Sequence, residues 1–206
     1  MEVNMKLKPI ELALIFALVI TVLFSSGISA EADELSSKLI RLHVVADSDS
    51  EEEQSLKLKV RDAVLSYLET ELSAAESRDD AEKLINERID VLEEIAEGVI
   101  KTEGKNHGVS VSLTEEYFQE TDYDTFSLPS GRYLSLRIVI GSGKGHNWWC
   151  VVFPNVCYAG ILNDESSAEI GLSEGELSLI TRDSTETVIR FRAMDIIARL
   201  KKLLGF

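Results

Sequence analysis

The segment LIRLHVVA, residues 39–46, restricts the possible folds more than any other stretch of this chain. Strand alternation puts Ile40, Leu42, Val44 and Ala46 on one side and Leu39, Arg41, His43 and Val45 on the other. The first side is wholly apolar, so it has to be buried against another layer. The sequence supplies that layer at once. Ser50-x-x-Glu53 has capping-box spacing, and clustered carboxylates around it suit the positive end of a helix. Leu56, Val60, Val64, Tyr67, Leu68 and Leu72 then fall on one helical stripe. A second stripe starts near Ser77, runs through Ala81, Leu84, Ile85, Ile89, Leu92, Ala96 and Val99, and meets a stop at Gly104. The two read as an antiparallel helical pair.

After Gly104 the period returns to two. Val109, Val111 and Leu113 alternate with Ser110, Ser112 and Thr114. An irregular stretch bearing aromatics follows, and then Leu134, Leu136, Ile138 and Ile140 alternate with Tyr133, Ser135, Arg137 and Val139. GSGKG (141–145) reads as a hairpin connection, and Trp149 to Phe153 as another strand. A polar linker from Asn163 to Thr187 leads to VIRFRAMDIIARLKKLLGF, an amphipathic helix from Ala193 onward. The expected class is therefore α+β. An N-terminal strand and helical hairpin pack on a small antiparallel sheet, with a C-terminal amphipathic helix.

The first 30 residues read differently. Lys6 and Lys8 precede an apolar run from Leu12 to Phe24, and small residues follow to Ala30 and Ala32. This is the layout of a secretory signal peptide. The run is short for a membrane anchor, which needs about 20 apolar residues. The expected organisation is a signal peptide over 1–30, cleaved after Ala30 or Ala32, and one secreted domain over 31–206. Cleavage after Ala30 removes two lysines and two glutamates, so the net charge of −15 is unchanged. So acidic a surface repels phosphate backbones and argues against a nucleic-acid partner.

In an exported chain, two cysteines read first as a disulfide between Cys150 and Cys157. Free structural thiols and part of a zinc site are the alternatives, although a zinc site lacks an evident fourth ligand. Asp47, Asp49 and Glu51 start a calcium-loop pattern that fails at Glu52 and Leu58, where glycine and a bidentate glutamate belong. His43, Asp47 and Ser130 have no nucleophile-elbow context, and Ser130 sits in a Pro-Ser-Gly turn. No cofactor, metal site or catalytic constellation is expected. Aromatics carry more information, because nine of the twelve beyond residue 30 fall between Tyr117 and Tyr158. Adjacent Trp148 and Trp149 face opposite ways on a strand, so one can be core while the other meets a partner. Trp148, Trp149, Asn147 and Arg137 are the candidate contact residues. The basic C-terminal helix, with Arg190, Arg192, Arg199, Lys201 and Lys202, either packs its Ile196, Ile197, Leu200 and Leu204 stripe on the core or offers a peripheral contact with anionic membrane or an acidic partner.

Three stretches carry a resemblance: IRLHVVADSDSEEEQSLKLKVRDAVLSYL (40–68), LPSGRYLSLRIVIGSG (128–143) and GHNWWCVVFPNVC (145–157). Together they resemble the stage II sporulation protein R family of endospore-forming Firmicutes. The chain has Ala46-Asp47-Ser48-Asp49 where the family is expected to have Ala-Asn-Ser-Asp, a change that retains capping ability. The resemblance implies a signalling protein and not an enzyme. Such a protein is exported from the forespore into the intermembrane space, where it activates a membrane-embedded aspartic protease of the mother cell. That protease processes the precursor of an early sigma factor. The rival expectation is an exported cell-wall hydrolase using Glu115, Glu116, Asp122 and Asp124.

Overall fold

A computed structural model describes residues 8–10, 15–16, 33–123 and 126–154 of the chain. Strand β1 (Ile40–Val45) lies inside a four-stranded sheet, flanked by β5 (Gly131–Ile140) and β6 (Asn147–Phe153). Strand β2 (Val109–Phe118) completes the order β2-β5-β1-β6. β1 runs parallel to β5, with Leu42 beside Leu136, and antiparallel to β6, with Leu42 beside Cys150. β2 pairs antiparallel with β5. The expected class holds as α+β, but the sheet is mixed, and the first strand is one of its members instead of packing on it. Alternation fixes which side chains share a face and says nothing about strand direction, so this pairing was not readable.

Helices α1 (Glu51–Glu71), α2 (Arg78–Asn86) and α3 (Ile89–Thr102) form the connection between β1 and β2. Their apolar stripes and one face of the sheet make the main core. Leu56, Val60, Val64 and Leu68 of α1 meet Ile40, Leu42 and Val44 of β1 and Leu136 and Ile138 of β5. Ala81, Ile85, Leu92, Ala96 and Ile100 close it from α2 and α3. The second helix expected from the stripe is two helices, broken at Glu87 and Arg88. The break coincides with Arg88, whose guanidinium donates to Glu71 at the end of α1 at 3.1 Å. Ser50 caps α1 by accepting the Glu53 amide at 3.3 Å. The reciprocal half of the capping box is replaced, because the Glu53 carboxylate turns to Lys105 and His107, each at 3.1 Å.

The loop after β1 and the loop before β6 clasp each other. The Asp47 carboxylate accepts the Ser142 amide at 2.6 Å, and Asp49 accepts the His146 amide at 2.6 Å. Gly145 donates to the Ala46 carbonyl at 2.9 Å. A Cβ at Gly145 would lie 2.4 Å from the Ser48 carbonyl oxygen, so this approach admits only glycine. Through the clasp, two segments almost a hundred residues apart position the start of β6.

Among the described residues, the reverse face of the sheet is half covered. Leu35 of a helical segment at 33–38, Leu39, Phe118, Tyr133 and Val151 pack with Phe126 and Leu128 into a smaller core. β3 (Thr121–Asp122) and β4 (Ser127–Leu128) pair over it as a two-stranded ribbon, in the stretch that the sequence leaves irregular. Arg41 is fully buried here, with its guanidinium 3.9 Å from the Phe118 ring centroid and 5.0 Å from that of Tyr133. It donates to Thr121 Oγ1 at 3.1 Å and Tyr123 Oη at 2.9 Å. Burial also raises the Tyr133 phenol well above its usual range, and its hydroxyl donates to the Pro129 carbonyl at 2.7 Å. The expected C-terminal amphipathic helix and the polar linker lie outside the described residues.

Candidate partner-binding face

The half of that reverse face left uncovered by the described residues holds His43, Trp149, Asn147, Arg137 and Glu116. Register explains why they meet. His43 sits between Arg137 of β5 and Trp149 of β6, and Arg137 lies opposite Ser112 of β2. Glu116 arrives from the same face of β2, four residues beyond Ser112. Its Oε2 is 3.0 Å from His43 Nδ1, and Arg137 Nε is 3.5 Å from its Oε1. His43 Nε2 lies 2.9 Å from Asn147 Oδ1. The imidazole is thus held by one side chain at each nitrogen, with the Trp149 ring 5.9 Å from its centroid.

A cleft of about 500 Å³ opens beside this network, lined by His43, Glu116, Tyr117, Phe118, Trp149 and the 119–122 segment. Trp149 is 39% exposed and Tyr117 57% exposed at its walls. Trp148, on the opposite face, is half-buried against the main core, with the Arg61 guanidinium 4.5 Å from its ring centroid. The two indoles therefore part as strand alternation requires. Asn147, Arg137 and Trp149 come together at His43, whereas Trp148 does not join them. Cys150 is buried on the helix side, and Cys157 lies outside the described residues.

Of the four acids considered for hydrolysis, Glu116 and Asp122 line the cleft, and Glu115 lies on the opposite face of β2. Asp124 lies outside the described residues. Glu116 sits between an imidazole and a guanidinium, whereas paired-carboxylate hydrolysis places one acid in an apolar setting. The carboxylate beside His43 is Glu116 and not Asp47, which belongs to the clasp. Sequence reasoning missed His43, Tyr117 and Phe118 as members of one cleft. Their sequence signals were that His43 interrupts an apolar strand and that Tyr117 and Phe118 open the aromatic-rich stretch. Among the described residues, no group of three or more His, Cys, Asp or Glu side chains is disposed to hold a metal ion.

Among the described residues, a mixed sheet with one face under helices, the other half open, and an aromatic cleft on that open half defines an α+β domain. The profile of the family described as stage II sporulation protein R matches residues 36–163. Stage II sporulation protein R of Bacillus subtilis (strain 168) is 32% identical over 163 residues, covering 79% of this chain and 69% of that protein. The chain belongs to the stage II sporulation protein R family, and is a sporulation protein. No solved structure matches it.

Proposed function

We propose that this chain is a secreted sporulation signal that reaches the space between forespore and mother cell. There it activates the membrane-embedded aspartic protease that processes the early mother-cell sigma-factor precursor. Family membership supports the sporulation context, and the open face supports contact rather than chemistry. The observation that carries the reading is Trp149, an indole 39% exposed over a cleft while its neighbour Trp148 packs on the core. Large exposed aromatics of this kind are enriched where binding energy concentrates. In this reading residues 1–30 direct export and are removed, and Cys150, which is not a free thiol, is bonded to Cys157. The basic C-terminal segment adds a peripheral membrane contact.

The test is processing of the sigma-factor precursor in a co-expression assay. Trp149→Ala should abolish or strongly reduce processing while secreted protein accumulates normally. Normal processing by this variant would remove the cleft from the contact surface.

Glu116 and Asp122 lining one cleft favour a second reading, an exported hydrolase. Single substitutions Glu116→Gln and Asp122→Asn separate the two. A hydrolase loses all activity with one of them, whereas a contact surface loses activity by degrees.

A further inference from the structure

We infer that His43 is the positioning residue of this face: its ring supports the Trp149 indole and fixes the angle at which that indole meets a partner. The inference rests on the reading of the face as a partner surface and assigns what orients its central aromatic. Trp149 of β6 and His43 of β1 are cross-strand partners, with ring centroids 5.9 Å apart at 45°. Among the described residues β6 ends the sheet, so the indole has one strand beside it, and the residue directly opposite on that strand is His43. The imidazole is itself held from three strands. Glu116 Oε2 of β2 lies 3.0 Å from Nδ1, and Asn147 Oδ1 of β6 lies 2.9 Å from Nε2. Arg137 of β5 lies 3.5 Å from the other oxygen of Glu116, and the Phe118 ring packs edge-on at 6.2 Å.

Those contacts decide what His43 does. Both ring nitrogens are engaged within the chain, so neither is left to bond a partner. The side chain is 12% exposed, so it offers a partner little area of its own. What remains is the ring surface on which Trp149 leans. An indole 39% exposed on an outer strand has several staggered rotamers open to it, and freezing them on binding lowers affinity. An imidazole pinned at two nitrogens settles the rotamer before the partner arrives, so the ordering cost falls on the fold and not on the encounter.

The experiment uses the full exported protein with no partner present, where a residue acting only by direct contact leaves Trp149 undisturbed. The readout is the heteronuclear NOE of the two indole N–H groups, which reports ring mobility, with Trp149 assigned by Trp149→Phe. In the native chain Trp149 should be as rigid as Trp148. His43→Ala should free the Trp149 ring and leave Trp148 rigid. Asn147 is exposed, so Asn147→Ala releases the same imidazole in a chain that still folds, and it should also loosen Trp149. Glu116→Ala should do likewise, whereas Glu116→Gln keeps an oxygen at Nδ1 and should hold the ring. Sigma-factor processing should fall about two- to tenfold with His43→Ala, the cost of ordering one side chain on binding. A Trp149 ring that is mobile in the native chain, or rigid in His43→Ala and Asn147→Ala alike, overturns the inference. Loss of processing with Trp149→Ala but not with His43→Ala keeps the contact face and rejects the positioning role. Silence of Trp149→Ala rejects the face itself, and the inference with it.

Discussion

At the residue scale, Trp148 and Trp149 make opposite contributions although they are neighbours in chain and chemistry. Trp148 packs on the main core under Arg61, so Trp148→Ala should cost about 2–3 kcal/mol, less than for a fully buried ring. That corresponds to a fall in Tm of about 5–10 °C. Trp149→Ala removes a partly exposed ring and should cost under about 1 kcal/mol. Equal losses in thermal unfolding would mean that both rings are structural. Arg41 poses a sharper question, because it is fully buried and its Nε and Nη1 have no hydrogen-bond partner among the described residues. Its stem fills the small core while its charge meets aromatic faces and hydroxyls. Arg41→Met keeps the stem and removes the charge, so in urea unfolding it should be at least about 1–2 kcal/mol more stable than Arg41→Ala. If Met proves as damaging as Ala, the guanidinium itself holds the reverse face together. Strand alternation predicted that the tryptophans part. Nothing in the sequence predicted Arg41 as core, because the expectation placed burial on the wholly apolar face alone.

At the scale of elements, the clasp between the β1–α1 loop and the loop before β6 is held by a carboxylate with a displaced acidity. The Ser142 amide, and then its hydroxyl, hold Asp47 below its ordinary value of 3.8. A carboxylate with a lowered folded-state pKa adds stability that is complete above the unfolded value and lost as pH falls through the folded one. The Tm advantage of the native chain over Asp47→Asn should therefore be constant from neutrality down to about pH 5 and then shrink below about pH 4. An advantage that persists unchanged at lower pH would show that the amide contact contributes nothing through charge. Each partner of the clasp is recognisable alone, as a capping sequence and as a glycine-rich turn. That they grip each other depends on β1 and β6 being neighbours, and no local period encodes that adjacency. The same limit separates His43 from Glu116. Their faces followed from alternation, but their contact needed the order β2-β5-β1-β6. The helix break at Arg88 was hidden for a different reason: the apolar stripe runs through it from Ile85 to Leu92 at seven-residue spacing, so periodicity alone sees one helix.

At the scale of the whole molecule, the open half-face functions in this reading only if the chain is exported and its β6 end is tied down. Both conditions leave a mark on one quantity, the intact mass of the exported protein. A signal peptide cut after Ala30 or Ala32 leaves a product starting at Glu31 or Asp33, still strongly acidic. A bond between Cys150 and Cys157 makes that product lighter by two hydrogens, with no mass gained on alkylation before reduction. The loop it closes is short, so the bond adds about 2 kcal/mol at most, and Cys150→Ser should lower Tm without preventing folding. Because Cys150 on the edge strand β6 pairs with Leu42 of β1, loosening there should be felt one residue away at Trp149 and His43. Cys150→Ser should therefore weaken sigma-factor processing more than its modest loss of stability explains. The expected result is one mass, cleaved and oxidised, in the medium of expressing cells. A membrane-bound product that retains residues 1–30 would refute export by cleavage. A cleaved product that takes up alkylating reagent at both cysteines would refute the staple while leaving export intact.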